Sequence, residues 1–133
     1  MEITDTRDRK EYRFSVFTAT YNRGNMLKNV YDDLLNQTYQ DFEWVIVNDG
    51  SSDNTDKVVR EFIEEKKLPI LYIKKENGGK LSAWRVATPL FQGLYEVGAD
   101  DDDRLTHDML EIFDRQWKVL ESGGRSYMIP FGR

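Results

Sequence analysis

The sequence has no cysteine among its 133 residues, and this absence removes two kinds of structure. Neither disulfide bonds nor thiolate metal sites can form, which fits a reducing compartment. No apolar run approaches the ~20 residues that a membrane span needs. The charged N-terminus MEITDTRDRKEY also lacks the apolar core of a signal peptide. We therefore expect a cytoplasmic protein without a membrane span, which could still lie against the inner face of a membrane.

The sequence also lacks an excess of positive charge, with 19 Lys and Arg residues against 24 Asp and Glu residues and a net charge of −5. This balance argues against a nucleic acid as the main partner, although a local basic site could still hold a small anion. The single histidine, His107, has no companion ligand or nucleophile near it in the sequence and is interpreted as a surface residue. The length and the 39% apolar content fit one globular domain.

The chain alternates between two hydrophobic patterns after a polar leader over residues 1–13. Short β-branched and aromatic runs predict buried strands over residues 14–19, 44–47, 70–75 and 94–99. Apolar residues at helical spacing predict helices over residues 26–37, 58–63, 81–87 and 109–120. The run SYMIPF, residues 126–131, could begin a fifth strand. Residues 14–133 are therefore predicted to form one α/β domain with a largely parallel, Rossmann-like sheet flanked by helices.

Polar stretches follow each of the predicted strands, and they read TYNRGN, NDGSSDNT, KKENGGK and ADDDD. Ligands of parallel α/β sheets bind beyond the carboxyl ends of the strands. Because those ends meet at one edge of the sheet, the four polar stretches are expected to lie together there. This edge is the predicted site.

Four consecutive aspartates, Asp100 to Asp103, are the most unusual feature of that edge. Such a run can be a solvated loop or a group of acids at a helix N-terminus. Alternatively, Asp100 and Asp102 can direct their oxygens at one divalent cation that also holds phosphates. An EF-hand starting at Asp100 is excluded, because Arg104 and Leu105 stand where an oxygen ligand and a glycine are required.

The ends of the other strands carry residues suited to a nucleotide. Asp49 could accept a hydrogen bond from an imide N–H such as that of uracil. Tyr21 could stack on a base and Asn22 could bond to it, although Tyr21 could equally be a core residue. In NGGK, Gly79 allows close backbone approach and Lys80 supplies a cation. By contrast, Ser51, Ser52 and Asp53 are interpreted as helix-capping residues.

Together, TATYNR, LLNQTYQDFEWVIVNDGSSDNT, NGGK and the DxD of ADDDDRL resemble the inverting glycosyltransferases of family 2, which have the GT-A fold. The resemblance runs from about Phe14 to Leu120. It implies a nucleotide-diphosphate sugar donor, with a UDP-sugar favoured, and a Mn²⁺ or Mg²⁺ cofactor. The residues that it implies for the donor are Ala19, Tyr21, Asn22, Asp49, Asn77, Gly79, Lys80, Asp100 and Asp101. The residues that it implies for the metal are Asp100, Asp102 and Asp103, with Asp102 and Asp103 as an alternative pair.

The chain also departs from its family pattern. Relatives often carry proline or threonine where Ala19 stands, and they continue past a strand like SYMIPF into an acceptor-binding half that carries the general base. That base would take the proton of the attacking acceptor hydroxyl. We therefore expect a donor-binding part, truncated at the C-terminus, that cannot transfer sugar to its unknown glycan or lipid-linked acceptor alone and could self-associate. The alternatives are a nucleotidyltransferase and a non-catalytic nucleotide-sugar-binding or interaction module.

Overall fold

A computed structural model of the protein describes residues 1–123. The strands are β1 (Glu2–Asp5), β2 (Tyr12–Thr20), β3 (Phe42–Asp49), β4 (Ile70–Lys75) and β5 (Gly93–Gly98). The helices are α1 (Gly24–Leu35), α2 (Thr55–Glu65), α3 (Lys80–Ala87) and α4 (Met109–Glu121), and a short 3₁₀ turn (Thr88–Leu90) follows α3. The alternation of strands and helices predicted from the sequence is confirmed over these residues.

The strands form one sheet in the order β1-β4-β3-β2-β5. The four strands from β2 to β5 are parallel to one another, and β1 pairs antiparallel with β4 at the edge. This arrangement confirms a largely parallel α/β sheet. The sequence pattern did not reveal β1, because its residues are mostly exposed and polar and therefore lack the apolar run of a buried strand.

Helices cover both faces of the sheet. On one face, α1, α2 and α4 bury a large cluster that contains the fully buried Trp44 and Leu110. Tyr31 of α1 stacks on Phe62 of α2 with ring centroids 4.1 Å apart, which ties these two helices together. On the other face, α3 buries a smaller cluster around Val45 and Ala83. The predicted helical stripe of α1 is confirmed, because Leu27, Val30, Tyr31 and Leu34 are all buried.

The polar leader is fastened to the sheet by a buried ion pair. Arg7 Nη1 lies 2.7 Å from Glu43 Oε1, and the Glu43 side chain is fully buried. The other carboxylate oxygen of Glu43 accepts hydrogen bonds from the Ser15 hydroxyl and from the Gln92 backbone N–H. Removing one partner of such a buried pair lowers the free energy of unfolding by about 3–5 kcal/mol. The leader is thus part of the folded domain, through both β1 and Arg7.

Some element boundaries differ from the predicted ones. The helix α2 runs from Thr55 to Glu65 and so extends beyond the predicted range of residues 58–63 at both ends, and Lys66 after it adopts a left-handed conformation with φ of 55°. The helix α4 begins at Met109, as predicted. The predicted strand over residues 126–131 lies outside the described residues. Within residues 1–123, none of the helices combines the length and the apolar character required to cross a membrane.

Candidate functional site

A cavity of about 360 Å³ opens at the carboxyl edge of the sheet, between the ends of β2, β3 and β5. The chain leaves β2 towards β3 on one side, while β5 pairs with β2 on the other side, so the strand order reverses at this point. Crevices at such reversals are where open α/β sheets bind ligands. The cavity is lined by Ala19, Thr20, Tyr21, Arg23, Asp49, Lys80, Asp100, Asp101 and Asp102.

The aspartate run begins where the β2–β5 ladder ends. The Ala99 N–H donates to the Phe17 carbonyl at 2.9 Å, and the Thr18 hydroxyl donates to the Ala99 carbonyl at 2.7 Å. These bonds fix the backbone directly before Asp100. The chain then turns, and the Asp100 N–H donates to the carboxylate of Asp103 at 2.9 Å.

The turn brings three carboxylates together. Ligand oxygens of Asp100, Asp102 and Asp103 lie within 4.8 Å of one another, and all three residues are exposed. Carboxylate oxygens are the donors that Mg²⁺ and Mn²⁺ prefer. The residues present therefore fit a divalent cation of this kind.

Two cations of the cavity wall are paired with these acids. Arg23 Nη1 lies 2.9 Å from Asp102 Oδ2 and 3.5 Å from Asp101 Oδ1. The Lys80 ammonium, at the start of α3, forms an ion pair with the Asp100 carboxylate. Both pairs are largely solvent-exposed, so each contributes no more than about 1 kcal/mol to stability. The side chains are therefore free to exchange these partners for a charged ligand.

Asp101 differs from its three neighbours in being buried, with 8% of its surface exposed. This burial raises the pKa of the Asp101 carboxyl, against opposing effects of the Thr20 hydroxyl and the Arg23 guanidinium. Its carboxyl group therefore belongs to the floor of the cavity, whereas Asp100 and Asp102 project from the rim.

Asp49 ends β3 and is almost fully buried at the cavity wall. Its Oδ1 accepts hydrogen bonds from Lys75 Nζ at 2.8 Å and from the Gly78 N–H at 3.0 Å. Its Oδ2 accepts a bond from the Gly79 N–H at 2.8 Å and a longer one from Asn77 Nδ2 at 3.4 Å. Burial by itself raises the pKa of this carboxyl, but Lys75 and the two glycine N–H groups outweigh burial and lower it.

Tyr21 and Asn22 follow β2 and have different surroundings. The Tyr21 side chain lines the cavity and is half exposed, at 50% of its surface, so it is not a core residue. Asn22 has a left-handed backbone with φ of 53°, and its Oδ1 accepts bonds from the N–H groups of Ser52 and Asp53. Asn22 thus holds the loop after β3 in place and does not line the cavity, and its contact with a base stays a prediction.

Most of the residues predicted from the sequence meet at this cavity. Of these, Ala19, Tyr21, Asp49, Lys80, Asp100, Asp101 and Asp102 line it. Three more lie just outside the lining: Asn77 and Gly79 bind Asp49, and Asp103 joins the carboxylate cluster.

The sequence reasoning assigned no role to three further residues. Thr20 and Arg23 line the cavity, and Lys75 pairs with Asp49. Arg23 lies in TYNRGN, which already follows a predicted strand, so its position and its charge were a usable signal. Lys75 lies in KKENGGK and carried a similar signal, but its pairing with Asp49 could not be read from the sequence, because Asp49 lies on another strand.

Comparison with known proteins supports one family. The family model of Glycosyl transferase family 2 matches residues 15–124. The glycosyltransferase GlyA of Streptococcus pneumoniae is 35% identical over 109 residues, which are 82% of this chain and 15% of GlyA.

Two solved structures share the fold. The crystal structure of S. aureus TarS 1–349 in complex with UDP-GlcNAc superposes with a TM-score of 0.72 at 27% identity, over 82% of this chain and 31% of that one. The mannosyltransferase PcManGT from Pyrobaculum calidifontis, in complex with GDP-Man and Mn²⁺, gives a TM-score of 0.71 at 25% identity, over 83% of this chain and 33% of that one. The chain therefore has the GT-A fold and spans about a third of these structures.

Proposed function

Because the chain belongs to glycosyl transferase family 2, we propose that its cavity binds the nucleotide-diphosphate part of a sugar donor. The favoured donor is a UDP-sugar, and the whole protein would transfer the sugar, with inversion, to a glycan or a lipid-linked acceptor. One observation carries the proposal: an aromatic ring, a buried carboxylate, two cations and an aspartate cluster converge on one cavity.

The nucleoside would lie at the end of the cavity formed by Tyr21 and Asp49. The exposed face of Tyr21 is available for stacking on a base. Asp49 Oδ2 has only one short bond, from Gly79, because the bond from Asn77 is 3.4 Å long. This oxygen can therefore accept an imide N–H by displacing the weak contact, and uracil presents such an N–H.

The diphosphate would lie over the aspartate turn. Asp100, Asp102 and Asp103 would hold a Mn²⁺ or Mg²⁺, as their clustered carboxylate oxygens allow. When bound, such an ion neutralises negative charge that builds up on a leaving diphosphate. Mn²⁺ is present with GDP-Man in the structure of PcManGT, which supports this choice.

Arg23 and Lys80 would contact the diphosphate from the cavity wall. Each is held near the turn by an aspartate and each is at least 47% exposed, so both can reach a phosphate. Guanidinium and ammonium groups form charge-assisted bonds to phosphate oxygens. Inversion also requires a general base for the acceptor hydroxyl, and we assign that role to none of the residues lining the cavity.

Calorimetric titration of UDP into the 133-residue chain tests this proposal. In Mn²⁺ we expect saturable binding, and we expect at least a tenfold loss in EDTA or in Asp102→Asn. The matched control is Asp41→Asn, because Asp41 is a half-exposed aspartate that precedes β3 at the opposite edge of the sheet and pairs only loosely with Lys10, at 3.5 Å. Equal binding with and without metal, or no binding of UDP in Mn²⁺, would contradict the proposal.

A further inference from the structure

Lys75, the last residue of β4, contacts Asp49 from behind the cavity. Its Nζ lies 2.8 Å from Asp49 Oδ1 and 2.6 Å from the Glu76 carbonyl oxygen, and only 11% of its side chain is exposed. Lys75 is not among the cavity-lining residues and instead borders a depression on the other side of Asp49, together with Gly50 and Asn77. Its side-chain bonds therefore reach the cavity lining through Asp49.

The two carboxylate oxygens of Asp49 differ in the hydrogen bonds that they accept. Lys75 and the Gly78 N–H both donate to Oδ1 with short bonds, which occupies the lone pairs of that oxygen. Oδ2 receives one short bond, from Gly79, and one long contact. The ion pair with Lys75 thus fixes the rotation of the carboxylate and leaves Oδ2 as the oxygen that can accept a further donor.

Lys75 also supplies the one positive charge that contacts Asp49 directly among the described residues. Burial raises the pKa of the Asp49 carboxyl, and Lys75 is the largest of the effects that lower it. The other charged groups that line the cavity with Asp49 are Arg23, Lys80, Asp100, Asp101 and Asp102. Without Lys75, the rise that burial causes in the pKa of Asp49 would be opposed mainly by the two glycine N–H groups.

We propose that Lys75 is a positioning residue that keeps Asp49 ionised and turned so that Oδ2 accepts an N–H of the nucleobase. The proposal rests on the proposed function and adds a source of base discrimination. An ionised Asp49 accepts a hydrogen bond from the N3–H of uracil, whereas a protonated Asp49 donates a hydrogen bond and suits the unprotonated N3 of cytosine. Lys75 therefore favours uridine over cytidine nucleotides.

The test is a set of UDP and CDP titrations in Mn²⁺ between pH 5 and pH 8, on the 133-residue chain. The variants are Lys75→Met, Lys75→Gln, which keeps a hydrogen-bond donor without the charge, and Lys75→Arg, which keeps the charge. The matched control is Lys74→Met, because the neighbouring Lys74 lies 3.5 Å from Asp56 and does not contact Asp49. Protonation of the diphosphate affects every variant equally.

In the wild type and in Lys74→Met, we expect the preference for UDP over CDP to be constant over this range. As the pH is lowered, the UDP affinity of Lys75→Met and Lys75→Gln should begin to fall at a higher pH than that of the wild type. Below that point it should drop by about tenfold for each further pH unit. The UDP preference should shrink in parallel, and Lys75→Arg should restore it.

Three results would overturn the inference. If both neutral variants melt earlier than the wild type but keep the pH profile and base preference of Lys74→Met, Lys75 is only a structural ion pair. If one neutral variant does not fold, the test rests on the other variant. The NMR titration of its Asp49 carboxyl carbon must then show a pKa above that of the wild type, and an unchanged pKa would overturn the inference. If UDP does not bind the wild type at any pH, the proposed function fails first, and this inference fails with it.

Discussion

Arg23 places one guanidinium nitrogen 2.9 Å from the Asp102 carboxylate, and the same nitrogen lies 3.5 Å from Asp101. The arginine comes from the loop after β2 and the acids come from the loop after β5, so the contact spans the cavity at its rim. Asp102 belongs to the carboxylate cluster that fits a divalent cation. Arg23 and a cation therefore compete for the same carboxylate in the absence of a phosphate ligand.

Arg23→Gln should strengthen the binding of Mn²⁺ to the nucleotide-free protein by a few-fold. A positive charge at 2.9 Å is removed from a ligand carboxylate, and a like charge near a cation site opposes occupancy even at an exposed position. Titration of Mn²⁺ followed by electron paramagnetic resonance measures the effect. The control is Arg104→Gln, because Arg104 is an exposed arginine paired with Asp33. A lower Mn²⁺ affinity in Arg23→Gln would show that Arg23 does not oppose the cation.

Gly50→Ala should destabilise the protein by about 1–3 kcal/mol. Gly50 has φ of 81°, and a Cβ built on it would lie 2.6 Å from the backbone nitrogen of Asn77. The segment that binds Asp49 therefore packs directly on this glycine. Urea unfolding measures the change, and Gly98→Ala is the matched control, because a Cβ there meets nothing within 4 Å. Equal unfolding midpoints for the two variants would mean that the segment around Asn77 accommodates the added methyl group without a loss of stability.

Tyr72→Phe should lower stability at pH 7 by about 1–2 kcal/mol. The buried Tyr72 hydroxyl accepts a bond from Asn48 Nδ2 at 3.0 Å and donates one to Asp56 at 2.8 Å. Asn48 in turn accepts the Ser51 N–H at 3.0 Å, so this hydroxyl also supports the loop after β3.

The same substitution should flatten the alkaline part of the stability profile. Burial, together with Asp56, raises the pKa of the Tyr72 hydroxyl in the folded protein. Above pH ~10 the unfolded chain loses this proton before the folded protein does, so stability falls as the pH rises. Urea midpoints between pH 7 and pH 11 should therefore drop less in Tyr72→Phe than in the wild type. Parallel profiles would indicate that the hydroxyl titrates alike in both states.

Much of the candidate site could be predicted because it depends on topology. Tyr21 and Asp100 follow strands of one parallel sheet and Asp49 ends another, and the carboxyl ends of such strands meet at a single edge. Local periodicity identifies the strands, so it also identifies the polar residues that follow them. The aspartate run and the lysine of NGGK were found in the same way.

Other features depended on pairings between distant residues. The edge strand β1 pairs with β4, about seventy residues away, through residues with no apolar pattern of their own. Arg7 finds Glu43 across 36 positions, and Asn22 turns away from the cavity to hold the loop after β3. Local sequence patterns carry no information about such partners.

By itself, the sequence determined the alternation of strands and helices, the edge at which the polar residues gather and the chemical types of those residues. These follow from hydrophobic periodicity and from the fixed direction of parallel strands. Only the tertiary structure decided which charges pair, that Asp101 is buried while Asp100 and Asp102 are exposed, and that Lys75 supports Asp49. The reason is physical: the charge state and the orientation of a side chain depend on burial and on neighbours that folding brings from distant parts of the chain.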